Sequence, residues 1–245
     1  MGESLGKLGR LLRKSADRAI VQTRRELRKL SAKMAGTEID LVFHAAYAPP
    51  DSHIVDAERS AKILSHLLTE GLTVGSRVLV PPALSVAELR RVHKDEYLES
   101  LDAPSAVARA LGGDEPPPPD VAEGYLEAQR WATSGTVYAT VRALQKRRLV
   151  VNLGGGFHHA ERARGSGFCL FNDIAVAIEK VRQNGFLGRI LVIDLDLHQG
   201  DGTRRILQTT RRSLPQVYTR RHGTKNRSKT RLTWRSVRES ATQRT

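Results

Sequence analysis

Cysteine is almost absent: Cys169 is the one cysteine in 245 residues, which excludes a disulfide within the chain and fits a reducing, cytoplasmic setting. Long apolar runs are missing too. Nothing approaches the ~20 consecutive apolar residues of a helical membrane span, and the amino terminus lacks the compact apolar block of a secretory signal. Acid is absent from one region: from Arg204 to the end the chain has no Asp and only Glu239. In that region Tyr218 and Trp234 are the only aromatics, too few for a surface on which nucleic-acid bases stack.

What is present divides by charge. The net +14 comes from the ends, because residues 1–34 carry ten Lys/Arg against three Asp/Glu and residues 204–245 carry thirteen against one. Residues 35–203 carry seventeen against twenty-two, the mildly acidic balance of an ordinary globular domain. Three segments follow: a basic extension over 1–35, a domain over 36–203 and a basic, disordered tail over 204–245. In the extension, Leu5, Leu8, Leu12, Ala16, Ala19, Thr23, Leu27, Leu30 and Met34 recur at steps of three and four, which predicts one amphipathic helix stopped near Gly36. It reads as a solvated helix outside the domain or as an arm that docks on an acidic surface. The Arg-rich start also has the look of an organelle transit peptide, a reading weakened by Glu3, Asp17 and Glu26.

Inside the domain, strands and helices alternate. Ile39 to Phe43, Val78 to Val80, Leu149 to Leu153 and the run from Ile190 read as short apolar strands. Helices are expected over Val55–Leu68, from Ser85 through Val92 with Glu88 completing a capping box, around Tyr97–Leu101, and over Val121–Leu144 as one or two pieces with Gly135 near the joint. Glu115 to Asp120 reads E-P-P-P-P-D, a surface loop. Such alternation predicts layered α/β architecture with parallel strands.

The chain is organised around Arg189 to Thr203, R-I-L-V-I-D-L-D-L-H-Q-G-D-G-T. Its apolar start suits a strand buried on both faces of a parallel sheet. Continued alternation puts Asp194, Asp196 and His198 on one side. Two carboxylates and an imidazole at a buried strand end call for a counter-charge or a cation, and both donor types suit zinc. Read alone, the same residues serve equally as a loop cap, a surface ion pair and a satisfied polar side chain.

Two loops join this strand end. G-G-G-F-H-H-A, Gly154 to Ala160, follows the third strand and delivers His158 and His159 to the same rim. A bare histidine pair can ligate metal, move protons or do neither. G-S-G-F-C-L-F-N-D, Gly165 to Asp173, offers Phe168 and Phe171 as walls of an apolar slot and Asn172 or Asp173 as the cap of a helix through Val181. Cys169 has no identifiable activating neighbour and reads as a buried structural thiol.

Together, G-G-G-x-H-H-A, G-F-C-x-F-N-D and D-x-D-x-H-x-G-D-G-T closely resemble the zinc-dependent histone deacetylase family, which includes acetoin-utilisation proteins and acetylpolyamine amidohydrolases. The resemblance spans roughly residues 39–203, with R-V-H-K-D-E-Y-L (Arg91 to Leu98) as a weaker match. It implies a three-layer α/β/α fold with a mainly parallel sheet of the arginase/deacetylase type, incomplete at the carboxyl end. It implies zinc on Asp196 and His198, and His158 and His159 beside the attacking water, paired with Asp194 and Asp201 respectively. It also implies Gly167 and Phe168 in the wall of a tunnel for the acyl-lysine chain, and a potassium ion on backbone oxygens around Asp194, Asp196 and His198. The implied substrates are acetyl-lysine side chains or acetylated polyamines. Asp114 and Asp120 are the candidate acids at the tunnel rim.

From Arg204 the chain departs from that pattern. No helix or strand periodicity is evident, and the family's third zinc ligand (an Asp), its oxyanion-binding Tyr and its remaining strands have no counterpart; Tyr218 and His222 sit in no matching context. A shift of reading frame is the favoured origin of this stretch. The expected chain is therefore a weak or inactive deacetylase. The competing reading is a non-catalytic polycation whose basic ends bind nucleic acid or acidic surfaces. Oligomeric state is left open.

Overall fold

The computed structural model describes residues 18, 20–28, 30, 39–50, 56–208 and 216–219. Most of the expected amino-terminal helix, and the tail from residue 220, lie outside the described residues. The part described, residues 20–28, is helical, and its Arg25 guanidinium donates to the Glu70 carboxylate at 2.7 Å. Ile20, Val21 and Leu27 on that helix are exposed. Among the described residues no helix is long and apolar enough to cross a membrane.

The chain-ordered elements are β1 (Ile39–Val42), α1 (Arg59–Thr69), β2 (Val78–Leu79), α2 (Val86–Leu89), α3 (Asp95–Ser100), α4 (Pro104–Leu111), α5 (Pro119–Lys146), β3 (Leu149–Asn152), α6 (Asp173–Gln183), β4 (Leu191–Asp194), α7 (Asp201–Gln208) and β5 (Gln216–Thr219). Strands form two separate parallel sheets, one in the order β2-β1-β3 and one pairing β4 with β5. Ile39 sits opposite Leu149 and Val42 opposite Asn152. In the second sheet Leu191 sits opposite Gln216 and Asp194 opposite Thr219.

The core lies among the helices. Val107 of α4, Leu170, Val176 and Val181 of and before α6, and Ile206 and Leu207 of α7 are all at least 98% buried, and each contributes on the order of 1.5–3 kcal/mol by leaving water. The capping box of Ser85 and Glu88 forms. β1 is fixed by a charge cluster: Asp40, 1% exposed, accepts from Arg77 at 3.1 Å and Arg142 at 2.9 Å. Those two guanidinium groups hold its carboxyl below the ordinary range against the opposing push of burial.

Several expectations change. Of the one or two helices expected, α5 is one, of 28 residues, and Gly135 lies in mid-course and not at a joint. A Cβ at Gly135 would overlap the Tyr47 hydroxyl and the Asn152 amide, so the glycine serves close approach rather than a break. The proline run ends earlier than expected, because Pro119 and Asp120 already form the first turn of α5, where a missing N–H costs nothing. α4 was not foreseen; Pro104 opens it and Gly112, at φ 78°, closes it. Residues 204–208, read as tail, complete α7, and Ile206 and Leu207 enter the core. β4 is not buried on both faces: Leu191 is 54% and Ile193 62% exposed.

Candidate functional site

β3, β4 and α6 bring three loops to one rim. The polar stretch after β4 is not strand. Asp194 Oδ1 accepts from the Asp196 N–H at 3.0 Å, and Asp196 Oδ1 accepts from the His198 N–H at 2.7 Å. Each Asp thus caps the backbone two residues on, so a D-x-D-x-H spacing folds as successive side-chain turns. Asp196 and His198 are exposed, with side chains 53% and 69% accessible, so the expected burial of all three polar groups holds for Asp194 alone. The Asp196 carboxylate and His198 Nδ1 stand 3.2 Å apart. The bond from the His198 N–H holds the Asp196 carboxyl below its usual range.

The histidine loop is pinned on the other side of this turn. His158 Nδ1 meets Asp194 Oδ2 at 2.7 Å and His159 Nδ1 meets Asp201 Oδ1 at 3.2 Å. The two rings are 4.1 Å apart, and His159 lies 5.9 Å from the His198 ring. The Asp194 bond raises His158 above an ordinary imidazole despite its partial burial. Burial pushes Asp201 upward, but the His159 bond and the Arg205 charge outweigh it and leave the carboxyl low.

One cavity of about 720 Å³ is lined by His158, His159, Gly167, Phe168, Asp194, Asp196 and His198 among others. Asp201 is not in the lining but is bonded to His159, which is; Phe171, expected beside Phe168 as a wall of the slot, lies buried in the core instead. Gly167 has φ 55° and Phe168 φ 66°, and a side chain at Gly167 would strike the His159 ring. Phe168 is 46% exposed at the mouth. Asp114 and Asp120 are not among the cavity-lining residues; Asp56 and Arg59 are.

What holds these loops was not read from the sequence. Asp173, fully buried, accepts from the N–H groups of Gly156 at 2.9 Å and Phe157 at 2.7 Å and from the Thr136 hydroxyl at 2.6 Å. Burial raises its carboxyl. Asn172 is the α6 cap, accepting from the Ala175 N–H, and its amide also donates to Ala160 O and Thr203 Oγ1, both at 3.0 Å. Thr203 N–H donates to His158 O at 3.0 Å. Gln129 of α5 clamps the third loop, donating to Phe168 O and accepting from Leu170 N–H, both at 2.8 Å. Cys169 is buried as expected, which pushes its thiol up to about 12.

The family's sequence model, described as histone deacetylase domain, matches residues 53–221. The chain belongs to the histone deacetylase family. The match runs to residue 221 rather than stopping at 203, so Tyr218, read as lying in no matching context, falls within it. The Bacillus subtilis acetoin utilization protein AcuC is 37% identical over 136 residues, 52% of this chain and 34% of that protein. An uncharacterized protein of Picosynechococcus is 32% identical over 170 residues, 69% of this chain and 55% of the relative. Histone deacetylase 8 of Xenopus tropicalis is 32% identical over 154 residues, 59% and 40% respectively. The crystal structure of an HDAC homolog from Aquifex aeolicus superposes with a TM-score of 0.56 at 23% identity, over 74% of this chain and 51% of that one, a likeness of fold. The chain thus spans about half or less of the length of these relatives.

Proposed function

We propose that this chain builds the histidine side of a zinc-dependent amidohydrolase site, one that removes acetyl groups from acetyl-lysine or a related acetylated amine. The observation that carries the reading is the double pairing of His158 with Asp194 and His159 with Asp201. A carboxylate on Nδ1 fixes each ring's tautomer and leaves Nε2 as the atom that takes or gives a proton. The two rings differ in setting: His158 is more buried and paired to the nearer carboxylate, His159 is more open to the cavity. His159 is accordingly the general base that accepts the proton of the attacking water. His158, raised by Asp194, holds positive charge beside it and passes a proton toward the leaving amine. Phe168 and Gly167 flank the entering acyl chain.

Asp196 and His198 supply one carboxylate and one imidazole, the donor types zinc takes, at the mouth of the same cavity. A catalytic zinc takes three protein ligands, and among the described residues no group of three His, Cys, Asp or Glu is placed to hold a metal. The pair therefore fits as part of a zinc site that needs a further donor, and the chain alone is a weak hydrolase. Bound there, zinc would supply Lewis-acid polarisation of the amide carbonyl and a more acidic water. Backbone oxygens around Asp194, Asp196 and His198 are the proposed seat of a potassium ion.

The test measures zinc retained by the full chain after dialysis, and turnover of a fluorogenic acetyl-lysine substrate with and without a hydroxamate. Expected are slow, hydroxamate-sensitive turnover with added zinc, a drop of roughly 10²–10⁴-fold in His159→Ala, and loss of zinc when Asp196 and His198 are both changed to Ala. Zinc retention unaltered by the double replacement, or turnover indifferent to His159→Ala, overturns the reading.

A further inference from the structure

The two histidine–aspartate pairs of the site are not held alike. Asp194 is nearly buried and has both oxygens engaged: Oδ2 meets His158 at 2.7 Å and Oδ1 accepts from the Asp196 N–H at 3.0 Å. Asp201 is more open, its side chain 35% accessible, and meets His159 at 3.2 Å, the long end of such a bond. A partly exposed carboxylate on one long bond keeps its freedom to turn unless the second oxygen is also taken. That oxygen, Asp201 Oδ2, lies 3.6 Å from the guanidinium of Arg205, one turn further along α7.

Arg205 is itself anchored at root and tip. Its neighbours Ile206 and Leu207 are 1% and 2% exposed in the core, and the Arg162 guanidinium donates to Ile206 O at 3.3 Å. Its Nη1 donates to Glu161 Oε1, and Glu161 stands two residues beyond His159. The Glu161 N–H donates to Arg164 O at 2.8 Å, and its carbonyl oxygen is bonded by buried His93. The charges therefore close a ring, running from the histidine loop through Arg205 and Asp201 back to His159. An isolated surface pair contributes little. Here the roots are fixed, so less freedom is lost on pairing, and the planar guanidinium suits two carboxylates at once.

We propose that Arg205, anchored by Glu161, is a positioning residue that orients the Asp201 carboxylate on His159 Nδ1 and so leaves Nε2 of that ring bare. The assignment rests on the proposed role of His159 as proton acceptor. Arg205 acts on the ring through Asp201, doing for that carboxylate what the Asp196 N–H does for Asp194. It lies two positions past Thr203, inside the stretch whose composition reads as tail.

The test uses the full 245-residue chain, labelled with ¹⁵N at histidine and without added zinc, at pH 7. Long-range ring correlations report which nitrogen of His159 carries the proton, and its signals are identified by their loss in His159→Gln. Expected in the parent is the Nδ1-protonated ring. Arg205→Met keeps the aliphatic stem and removes the charge, and the ratio of Nδ1- to Nε2-protonated ring should fall about fivefold, the upper end for a half-exposed pair. Glu161→Gln leaves Arg205 in place but loosely anchored and should lower the ratio about twofold. Arg205→Lys should recover at least half of the loss, which a merely structural role would not require. Arg164→Ala removes a second partner of Glu161 that does not reach Asp201 and should match the parent. Where hydrolysis is measured, kcat should follow the ratio with KM unchanged. A ratio unmoved in Arg205→Met, or a lysine variant no better than the methionine one, overturns the proposal. If Arg205→Met does not fold, Glu161→Gln carries the test, and an unmoved ratio there overturns it equally. A ratio that depends on Arg205 in a chain without hydrolysis would reject the proposed function and leave the positioning role standing.

Discussion

Asp173→Ala tests whether the tandem-histidine loop is held from beneath. Asp173 is 0% exposed, and its carboxylate takes the N–H groups of Gly156 and Phe157 at 2.9 and 2.7 Å together with the Thr136 hydroxyl at 2.6 Å. Alanine would strand two backbone donors, each at about 1–3 kcal/mol. Thr136 can turn toward Ala132 O, which already lies at 3.4 Å, so its loss is small. Removing a buried charge returns part of the cost, as the raised carboxyl indicates. The net expectation is about 2–4 kcal/mol of lost stability. Asp173→Asn keeps one acceptor oxygen and should lose roughly half as much. Urea denaturation at pH 7 measures both. A loss under about 0.5 kcal/mol in Asp173→Ala, against the ~1 kcal/mol minimum of a single stranded donor, would refute the loop-holding role, as would an alanine variant no worse than the asparagine one.

Three other outcomes can be checked on the same preparations. His93, 2% exposed, receives the Asn172 N–H at 3.0 Å and bonds Glu161 O, and burial lowers it to about 4 from 6.5. The unfolded chain therefore binds the proton first, and stability that is whole above pH 6.5 drains as pH falls toward 4, by about 3 kcal/mol at ~1.4 kcal/mol per unit. His93→Gln should flatten that part of the pH–stability curve, and an unchanged slope sinks the assignment. Gly135→Ala drives a methyl into the Tyr47 hydroxyl and the Asn152 amide, so it should cost at least ~1–3 kcal/mol by overpacking; a thermal midpoint equal to the parent's argues against that close approach. Cys169, pushed up to about 12 by burial, should resist iodoacetamide at pH 8 until the chain is unfolded, since only about one thiol in ten thousand is ionised there. Rapid alkylation of the native chain would contradict its burial.

The candidate site was legible because its chemistry travels with residue type. Histidine and aspartate at a strand end are costly to leave idle, and His158, His159, Asp194, Asp196 and His198 do line one cavity. The reason given for their convergence was partly mistaken. Strand alternation was expected to carry Asp196 and His198 into line, whereas the strand stops at Asp194 and side-chain turns do the work. Both mechanisms have a period of two, so spacing alone cannot separate them. Gln129, Thr136, Asn172 and Asp173 left no comparable signal, since Gln129, Asn172 and Asp173 act on backbone groups of loops distant in the chain and Thr136 acts on the Asp173 carboxylate. Of Asn172 and Asp173, the two candidate caps, Asn172 is the cap and Asp173 opens the helix; their long-range partners required the fold.

The misreading of β4 has a different cause. Ile190 to Ile193 has the composition of a strand covered on both faces, and that composition records the surroundings for which the segment is built. In this chain Val192 of β4 packs against the helical core while Leu191 and Ile193 are exposed, with Leu195 78% exposed just beyond them. The apolar text is thus a statement about neighbours that the described residues do not include. The same holds for β3, whose Leu149 and Val151 are open. β3 pairs with β1 and β4 with β5, so each strand has a hydrogen-bonded partner on one edge while its outward apolar side chains stay open, and strand composition records the partnering and not the exposure.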